Sequence, residues 1–338
     1  MFVKPTKRSM LADNIRDEIA SLRSSTAVRI PSERDIAAMF QASRVSVRAA
    51  LKVLMAEGLL FQKQGSGTFI KPKPLLDVIH LSLSPELRSG DPFYSMFMTE
   101  LSQWLAEDGI ALRMVTAAHT PKNESSPLII VGTFDNASID LFMKSYRAIV
   151  AVQSYPSAAV SQVHYDDAAI GSAACRELTE RGHKRIAHIA GPKRFAASRA
   201  RRDGFLDACG TYGIAPVIID AKMNYHGGYE TARTLMDTRR SEKTTGVFCA
   251  NDAMACGLIA GLKENGVRIP GDIAVIGCDD IPMAAEITPA LATFSLDPKE
   301  LLAETVVMLN NYCREGVLAP RTIMLPARFI ERESIAAQ

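Results

Sequence analysis

The sequence predicts an α/β chain in two parts: a small N-terminal winged helix-turn-helix, then a two-lobed body built on doubly wound parallel sheets. Three observations carry that expectation. Between Pro31 and Ile70, two short amphipathic stretches run into a hairpin turned by glycines. From Leu76 onward, strand-length apolar runs alternate with helical stretches, the mark of an α/β fold. The charge is divided as well: residues 1–75 hold 13 Lys and Arg against 6 Asp and Glu, and the rest of the chain holds 26 against 31. A total of +2 thus conceals a basic head on an acidic body, as expected where only the head meets a polyanion.

Ser9 to Leu22 opens the chain with Leu11, Ile15, Ile19 and Leu22 at helical spacing. Ser32 is a good N-cap for a second helix, with Glu33 and Asp35 in the first turn, where carboxylates complement the helix dipole. Ile36, Met39 and Phe40 give it an apolar face. Gln41-Ala42-Ser43 breaks the pattern, and Ser43 caps a third helix. Its Val47, Ala50, Leu51 and Leu54 face inward, while Arg48, Lys52 and the first turn (Arg44, Val45, Ser46) face out. Gly58 fits a helix stop. Leu59 to Lys63 and Thr68 to Ile70 read as strands joined by Gln64-Gly65-Ser66-Gly67. Short polar and cationic side chains at the start of the third helix are where a major groove is read. Two glycines at the hairpin tip let its backbone lie against phosphates.

The prolines of Lys71-Pro72-Lys73-Pro74 bias the backbone toward an extended linker. The expected domains are therefore 1–70, a linker over 71–77, and 78–332. Buried strands are expected at 78–83, 111–116, 128–132, 148–152, 185–190, 216–219, 246–250 and 273–277. Helices are expected at 93–107, 168–181, 197–212, 227–238 and 252–265, with a late helix from Pro298 to Glu315 and a closing strand pair near 321–332. About 260 residues exceed one compact core, which implies two lobes with a cleft. The 117–127 span is a short polar loop with no helix pattern.

Ligand sites in open parallel sheets lie beyond the C-terminal ends of the strands. Those ends carry Gln153, Gly191-Pro192, Asn251-Asp252 and Cys278-Asp279-Asp280, with Arg199, Arg201 and Arg202 close behind. Planar amide, carboxylate and guanidinium groups suit the paired hydroxyls of a carbohydrate. Phe93 and Tyr94 follow the first body strand, placed to stack on the apolar face of a sugar.

The same residues exclude other classes. The six cysteines form no C-x-x-C pair and have no histidine at metal-ligand spacing, so no metal or cofactor is expected. No run approaches 18 apolar residues and the N-terminus lacks an apolar signal core, so the expected compartment is cytoplasmic, with no membrane partner. No Ser-His-Asp or Cys-His arrangement stands out, so no catalytic residue is expected. Gly65-Ser66-Gly67 opens no helix, which favours a wing turn over a nucleotide loop. Extended backbone would point Asp279 and Asp280 to opposite faces, leaving Asp279 as a lone hydroxyl acceptor. His183 and His188 read as structural.

Two resemblances sharpen this. "PSER", "SRVSVRAAL", "GLL" and "GSGTF" in register resemble the GntR-type winged helix. That implies DNA contacts at Arg34, Ser43, Arg44, Ser46, Arg48, Gln64 and Gly65. RELTERGHKRIAHIAGP, RRDGF and FCANDAMACGLIAGLKENGVRIPGDIAVIGCDDIP resemble the effector domain of LacI-type regulators, which is periplasmic-binding-protein-like. That implies effector contacts at Arg201, Asn251 and Asp279, with weaker matches at Phe93, Tyr94 and Gln153. Leu296 and Met223 depart from the family's usual glutamine and aromatic. The pairing of head and body resembles the arabinose-repressor type of regulator. It implies a homodimeric repressor of carbohydrate-use genes that binds operator DNA and is released by a sugar or sugar derivative. A cytosolic solute-binding receptor and a sugar-acting enzyme are the alternatives.

Overall fold

The computed structural model describes residues 7–22, 27–57, 59–63, 65–71, 76–87, 91–122, 124–153, 160–242 and 244–335. Most of the 71–77 linker and Gly58 lie outside them. Residues Met1–Asp77 with Gln103–Ala111 form one compact unit, and Val78–Ser102 with Leu112–Gln338 a second.

In the first unit the order is α1 (Lys7–Leu22), β1 (Val28–Arg29), α2 (Glu33–Met39), α3 (Arg44–Ala56), β2 (Leu60–Lys63) and β3 (Gly67–Ile70). Ser32 and Ser43 cap α2 and α3, accepting the amides of Asp35 at 3.3 Å and Ser46 at 3.1 Å. Leu11, Ile15 and Ile19 pack with Ile36, Val47, Leu51, Leu54, Leu60 and Ile70 in one core. Two expectations fail at helix ends: Leu22 is 46% exposed and Met39 59%. In so short a helix Met39 is the last residue, and Ile36, Ala37 and Phe40 supply the inner face instead. The hairpin gains a third strand, since β1 pairs antiparallel with β3, Val28 opposite Ile70. A two-residue strand carries no periodicity by which a sequence would show it.

From Val78 the chain continues with β4 (Val78–Leu83), α4 (Pro92–Asp108), β5 (Ala111–Met114), β6 (Leu128–Val131), α5 (Asn136–Ser145), β7 (Ile149–Val152) and β8 (Ser161–Tyr165), the end of α4 and Ala111 counting with the first unit. Next come α6 (Asp167–Glu180), β9 (Ile186–Ala190), α7 (Ala196–Thr211), β10 (Val217–Asp220), α8 (Tyr225–Glu242), β11 (Gly246–Cys249), α9 (Asp252–Glu264) and β12 (Ala274–Asp279). It closes with α10 (Pro282–Glu286), β13 (Ala292–Ser295), α11 (Pro298–Glu315), β14 (Thr322–Leu325) and β15 (Arg328–Ile330). Two six-stranded sheets result, ordered β14-β8-β7-β6-β4-β5 and β10-β9-β11-β12-β13-β15. Their paired registers are parallel apart from β13 with β15.

The chain crosses between the lobes three times, at Asp166, at Leu296-Asp297 and at Pro326-Ala327. The expected closing strand pair is therefore a correction: β14 joins the first sheet beside β8 and β15 the second beside β13. Neighbours far away in sequence, not the short turn, decide each pairing. The strand expected at 111–116 is not buried; all four residues of β5 are exposed at the sheet edge. Between β5 and β6 the described residues form no helix, only bridges from Thr116 to His119 and from Glu124 to Tyr146.

Helices α6 and α7 meet through Gly171 and Gly204, where a Cβ on either would run into the carbonyl of Arg201 or Ala168. His188, in mid-β9, stacks on Phe248 with ring centroids 4.8 Å apart and its Nδ1–H donates to the Phe248 carbonyl at 3.0 Å. Its Nε2 has no partner among the described residues. Burial pushes its pKa down to about 4. The unfolded chain then takes up the proton first. The stability this neutral imidazole contributes is complete above about pH 6.5 and is lost as pH falls toward 4, about 3 kcal/mol in all. Asp252 works the other way, since burial raises its carboxyl to about 6. Both proteins of a comparison share it. Urea unfolding between about pH 7 and 4.5 is expected to show a shallower acid loss for His188→Leu than for the parent; identical slopes would remove this role for His188.

Candidate functional site

On the head, the capped start of α3 presents Arg44 and Val45 to solvent, Val45 being 71% exposed. Ser43 and Ser46 share a 2.9 Å contact between hydroxyls there. Arg34 is exposed beside Asp35, 3.6 Å away. Gly65 sits at the wing tip with φ +72°, left-handed backbone that glycine adopts without strain. Gln64 lies outside the described residues. Arg48 differs from Arg44. Its Nη2 and Nε donate to the Glu33 carboxylate at 2.7 and 3.0 Å, holding that carboxyl below its ordinary range. Arg29 on β1, absent from the sequence expectation, lies with its guanidinium against Gly67 of the wing. Only the β1–β3 pairing brings it there.

In the body a cleft of about 630 Å³, counting its open mouth, is lined by residues of both lobes. From the first lobe come Ser84, Glu86, Leu87, Asp91, Tyr94, Thr133 and Gln153; from the second, Phe195, Ala197 and Met223. Each sits just past the C-terminal end of a strand or in the helix turn that follows. Gln153 is buried at φ +45°, and its Oε1 accepts the Tyr165 amide at 2.9 Å, which leaves the amide nitrogen for the cleft. Asp91 precedes Pro92 and caps α4, with Oδ1 accepting the amides of Phe93 at 3.2 Å and Tyr94 at 3.4 Å. Burial still drives its carboxyl above the usual range. At the mouth, Arg194 Nε donates to Glu86 at 2.9 Å across the lobes, its guanidinium over the Phe195 ring.

Of the six residues expected to meet an effector, Tyr94 and Gln153 line this cleft and the other four are not part of its lining. Phe93 is 5% exposed, edge-on to Tyr94. Asn251 caps α9 by accepting the Met254 amide at 3.0 Å. Arg201 is 3% exposed and donates to Asp167 at 2.7 Å and to the Ala250 carbonyl at 2.5 Å. Desolvation opposes its charge, but neighbouring anionic groups, Asp167 and Asp279 among them, outweigh that and raise its pKa. Asp279 is 8% exposed, 3.6 Å from the Arg201 guanidinium, and burial pushes its carboxyl well up.

The backbone at Asp279 and Asp280 is not extended, as the sequence reading had it; φ is +123° and +58°. Such strain persists where surrounding bonds over-determine it. Here Asp252 accepts the Ile281 amide at 3.0 Å and the Thr293 hydroxyl at 2.6 Å, while Arg332 holds Asp280 at 2.6 Å. Asp280 is thereby turned away to Arg332. Leu296 is buried, and Met223 reaches the cleft wall. Sequence reasoning missed Asp91, Glu86 and Phe195. An aspartate before a helix-opening proline is a cap signal that marks Asp91; nothing local marks the other two.

Among the described residues no group of three or more His, Cys, Asp or Glu could hold a metal ion. No helix among them is long and apolar enough to cross a membrane.

Two family profiles match the chain: bacterial regulatory proteins of the gntR family over residues 7–70, and a periplasmic binding protein-like domain over residues 175–335. The HTH-type transcriptional repressor CytR of Escherichia coli K12 is 27% identical over 263 residues, 73% of this chain and 76% of the repressor. A solved LacI family transcriptional regulator from Enterococcus faecium, with bound ribose, is 27% identical at a TM-score of 0.67 over 77% of this chain and 99% of that one. The CelR–cellobiose complex shares the fold at a TM-score of 0.67 and 21% identity, covering 90% of this chain and 100% of that one. A gntR-type head ahead of a periplasmic-binding-protein-like body makes this chain a transcriptional regulator of the LacI/GntR type.

Proposed function

We propose that the chain is a cytoplasmic, homodimeric repressor of carbohydrate-utilisation genes, released from its operator by a sugar or sugar derivative. Residues 1–70 read DNA through Arg34, Ser43, Arg44, Ser46, Arg48 and the wing, with Arg29 added. Residues 78–332 bind the effector. The observation that carries this reading is the two-lobed cleft with Tyr94, Gln153 and Met223 on its walls. Relatives solved with ribose and with cellobiose share this fold. Two heads on one dimer read two half-sites and multiply a weak single-head affinity. The exposed edge strand β5, with Leu112 and Met114 uncovered, offers an apolar strip to the second copy.

Switching from mostly bound to mostly free requires the ligand to favour one state by about 5.5 kcal/mol. A thermal-shift panel including ribose and cellobiose is the direct experiment, since a ligand at 100 times its Kd adds about 2.7 kcal/mol. The expected result is a stabilising compound that also frees operator DNA in an anisotropy assay. A stabilising compound that leaves operator affinity unchanged would make the body a receptor uncoupled from the head.

A further inference from the structure

Each of the three crossings between the lobes leaves from a strand at one edge of its sheet: β8 and β14 in the first, β13 in the second, with β15 receiving the last. β4 stands four strand positions from β14, and β9 four from β15. At about 4.8 Å a strand, both lie about 19 Å from that hinge edge. The loops that follow β4 and β9 meet across the mouth of the cleft, where Arg194 Nε donates to the Glu86 carboxylate at 2.9 Å. Both loops are held by their own bonds. The Glu86 amide donates to Ser84 Oγ at 3.1 Å and the Leu87 amide to the Ser84 carbonyl at 3.0 Å. On the other lip, the Phe195 amide donates to the Pro192 carbonyl at 3.1 Å, and Arg199 Nη1 to the Lys193 carbonyl at 3.1 Å. The Arg194 guanidinium lies 4.7 Å from the centre of the Phe195 ring, which lines the cleft.

We propose that Glu86 and Arg194 form a latch that holds the lips of the cleft together on the side away from the hinge, and that the effector enters and leaves when this latch opens. The role rests on the reading of this cleft as the effector site. A hinge rotation parts two groups in proportion to their distance from the hinge. At about 19 Å, a rotation of about 10° moves the lips about 3 Å apart, enough to break a hydrogen-bonded ion pair. The same rotation displaces groups at the crossings far less. The pair therefore stands where closure and opening differ most, between two turns too well bonded to follow each other apart. Phe195 backs the guanidinium with its ring face, so the latch and the cleft wall belong to one turn.

The size of the effect follows from exposure. The two side chains are 52% and 47% exposed, so the pair shifts the balance of closed and open forms by only about two- to fivefold, and salt screens it. A bias of that size tilts a hinge without locking it. It also gives the body an ionic-strength dependence of its own, separate from that of the head on DNA.

Hydrogen exchange on the full chain, with no sugar added, reads the latch directly, because amides protected by lobe closure exchange in proportion to the opening constant. Arg194→Gln is expected to speed exchange about two- to fivefold in peptides from both lips, around Glu86 and around Phe195. Raising NaCl to about 0.5 M, where the Debye length falls to about 4 Å, should do the same to the parent and leave the variant unchanged. The charge swap, Glu86→Arg with Arg194→Glu, should return both lips to the parent's rates. Faster exchange confined to the Arg194 lip, or a swap no better protected than the single variant, would overturn the latch. A latch that passes in a chain that no sugar stabilises would sink the proposed function alone. A sugar-binding cleft whose exchange ignores Arg194 would sink the latch alone.

Discussion

Arg44→Ala is expected to weaken operator binding about 10–100-fold, with Arg48→Ala costing measurably less. Both arginines stand on the outer face of α3, and at the level of sequence they are equivalent. The structure separates them. Arg44 has no ion-pair partner among the described residues, so whatever it gains from a base edge or phosphate is gained in full. Arg48 holds Glu33 through a forked pair and must give that up before it contacts DNA. What it gains on the duplex is thus offset by what it leaves. Glu33→Gln removes the competing charge and is expected to tighten operator binding in the parent but not in the Arg48→Ala protein. Fluorescence anisotropy at two salt concentrations checks the three single variants and the Glu33→Gln, Arg48→Ala double, because loss of a phosphate contact also lowers the salt slope by about one. Equal losses for Arg44→Ala and Arg48→Ala, with no effect of Glu33→Gln, would mean the Glu33 pair is absent in the free protein.

The same contrast shows what a sequence can and cannot reveal. Ser32 and Ser43 were readable as caps because a cap acts on amides three residues away. The inward face of α3 was readable because Val47, Ala50, Leu51 and Leu54 recur at helical spacing. Each is a local signal. The pairing of Arg48 with Glu33 depends on how α2 crosses α3, and no spacing encodes that. The split of β14 from β15 is a stronger case, since two short strands two residues apart look like a hairpin until Gln162 and Phe294 supply other partners. In the cleft, the strand-end rule pointed to Gln153, but Phe195 and Glu86 arrive from loops whose paths only the folded lobes define. Asp279 was picked as a polar strand end; its left-handed backbone, and the Asp252 and Arg332 bonds around it, were not foreseeable from alternation along a strand.

The largest expected loss of stability lies one step behind that cleft. Asp167→Ala is expected to destabilise the second unit by about 3–5 kcal/mol, because it strands the Arg201 guanidinium in an interior with 3% exposure. Asp167 is fully covered on α6 and Arg201 on α7, so water cannot replace the lost carboxylate without opening the helix pair. That pair is held at its closest approach by Gly171 and Gly204, leaving no slack for the guanidinium to swing outward. The Ala250 carbonyl and the carboxyl of Asp279 would remain its nearest acceptors, and the released charge would be drawn to Asp279. Differential scanning calorimetry should show the body's transition move down while the head's does not. The double variant Asp167→Ala with Arg201→Met removes both charges and is expected to recover most of the lost stability, as buried pairs replaced by apolar groups commonly do. A double variant no more stable than the single would show that Asp167 acts through its other contacts, and that the buried charge is not what the α6–α7 packing was built to hold.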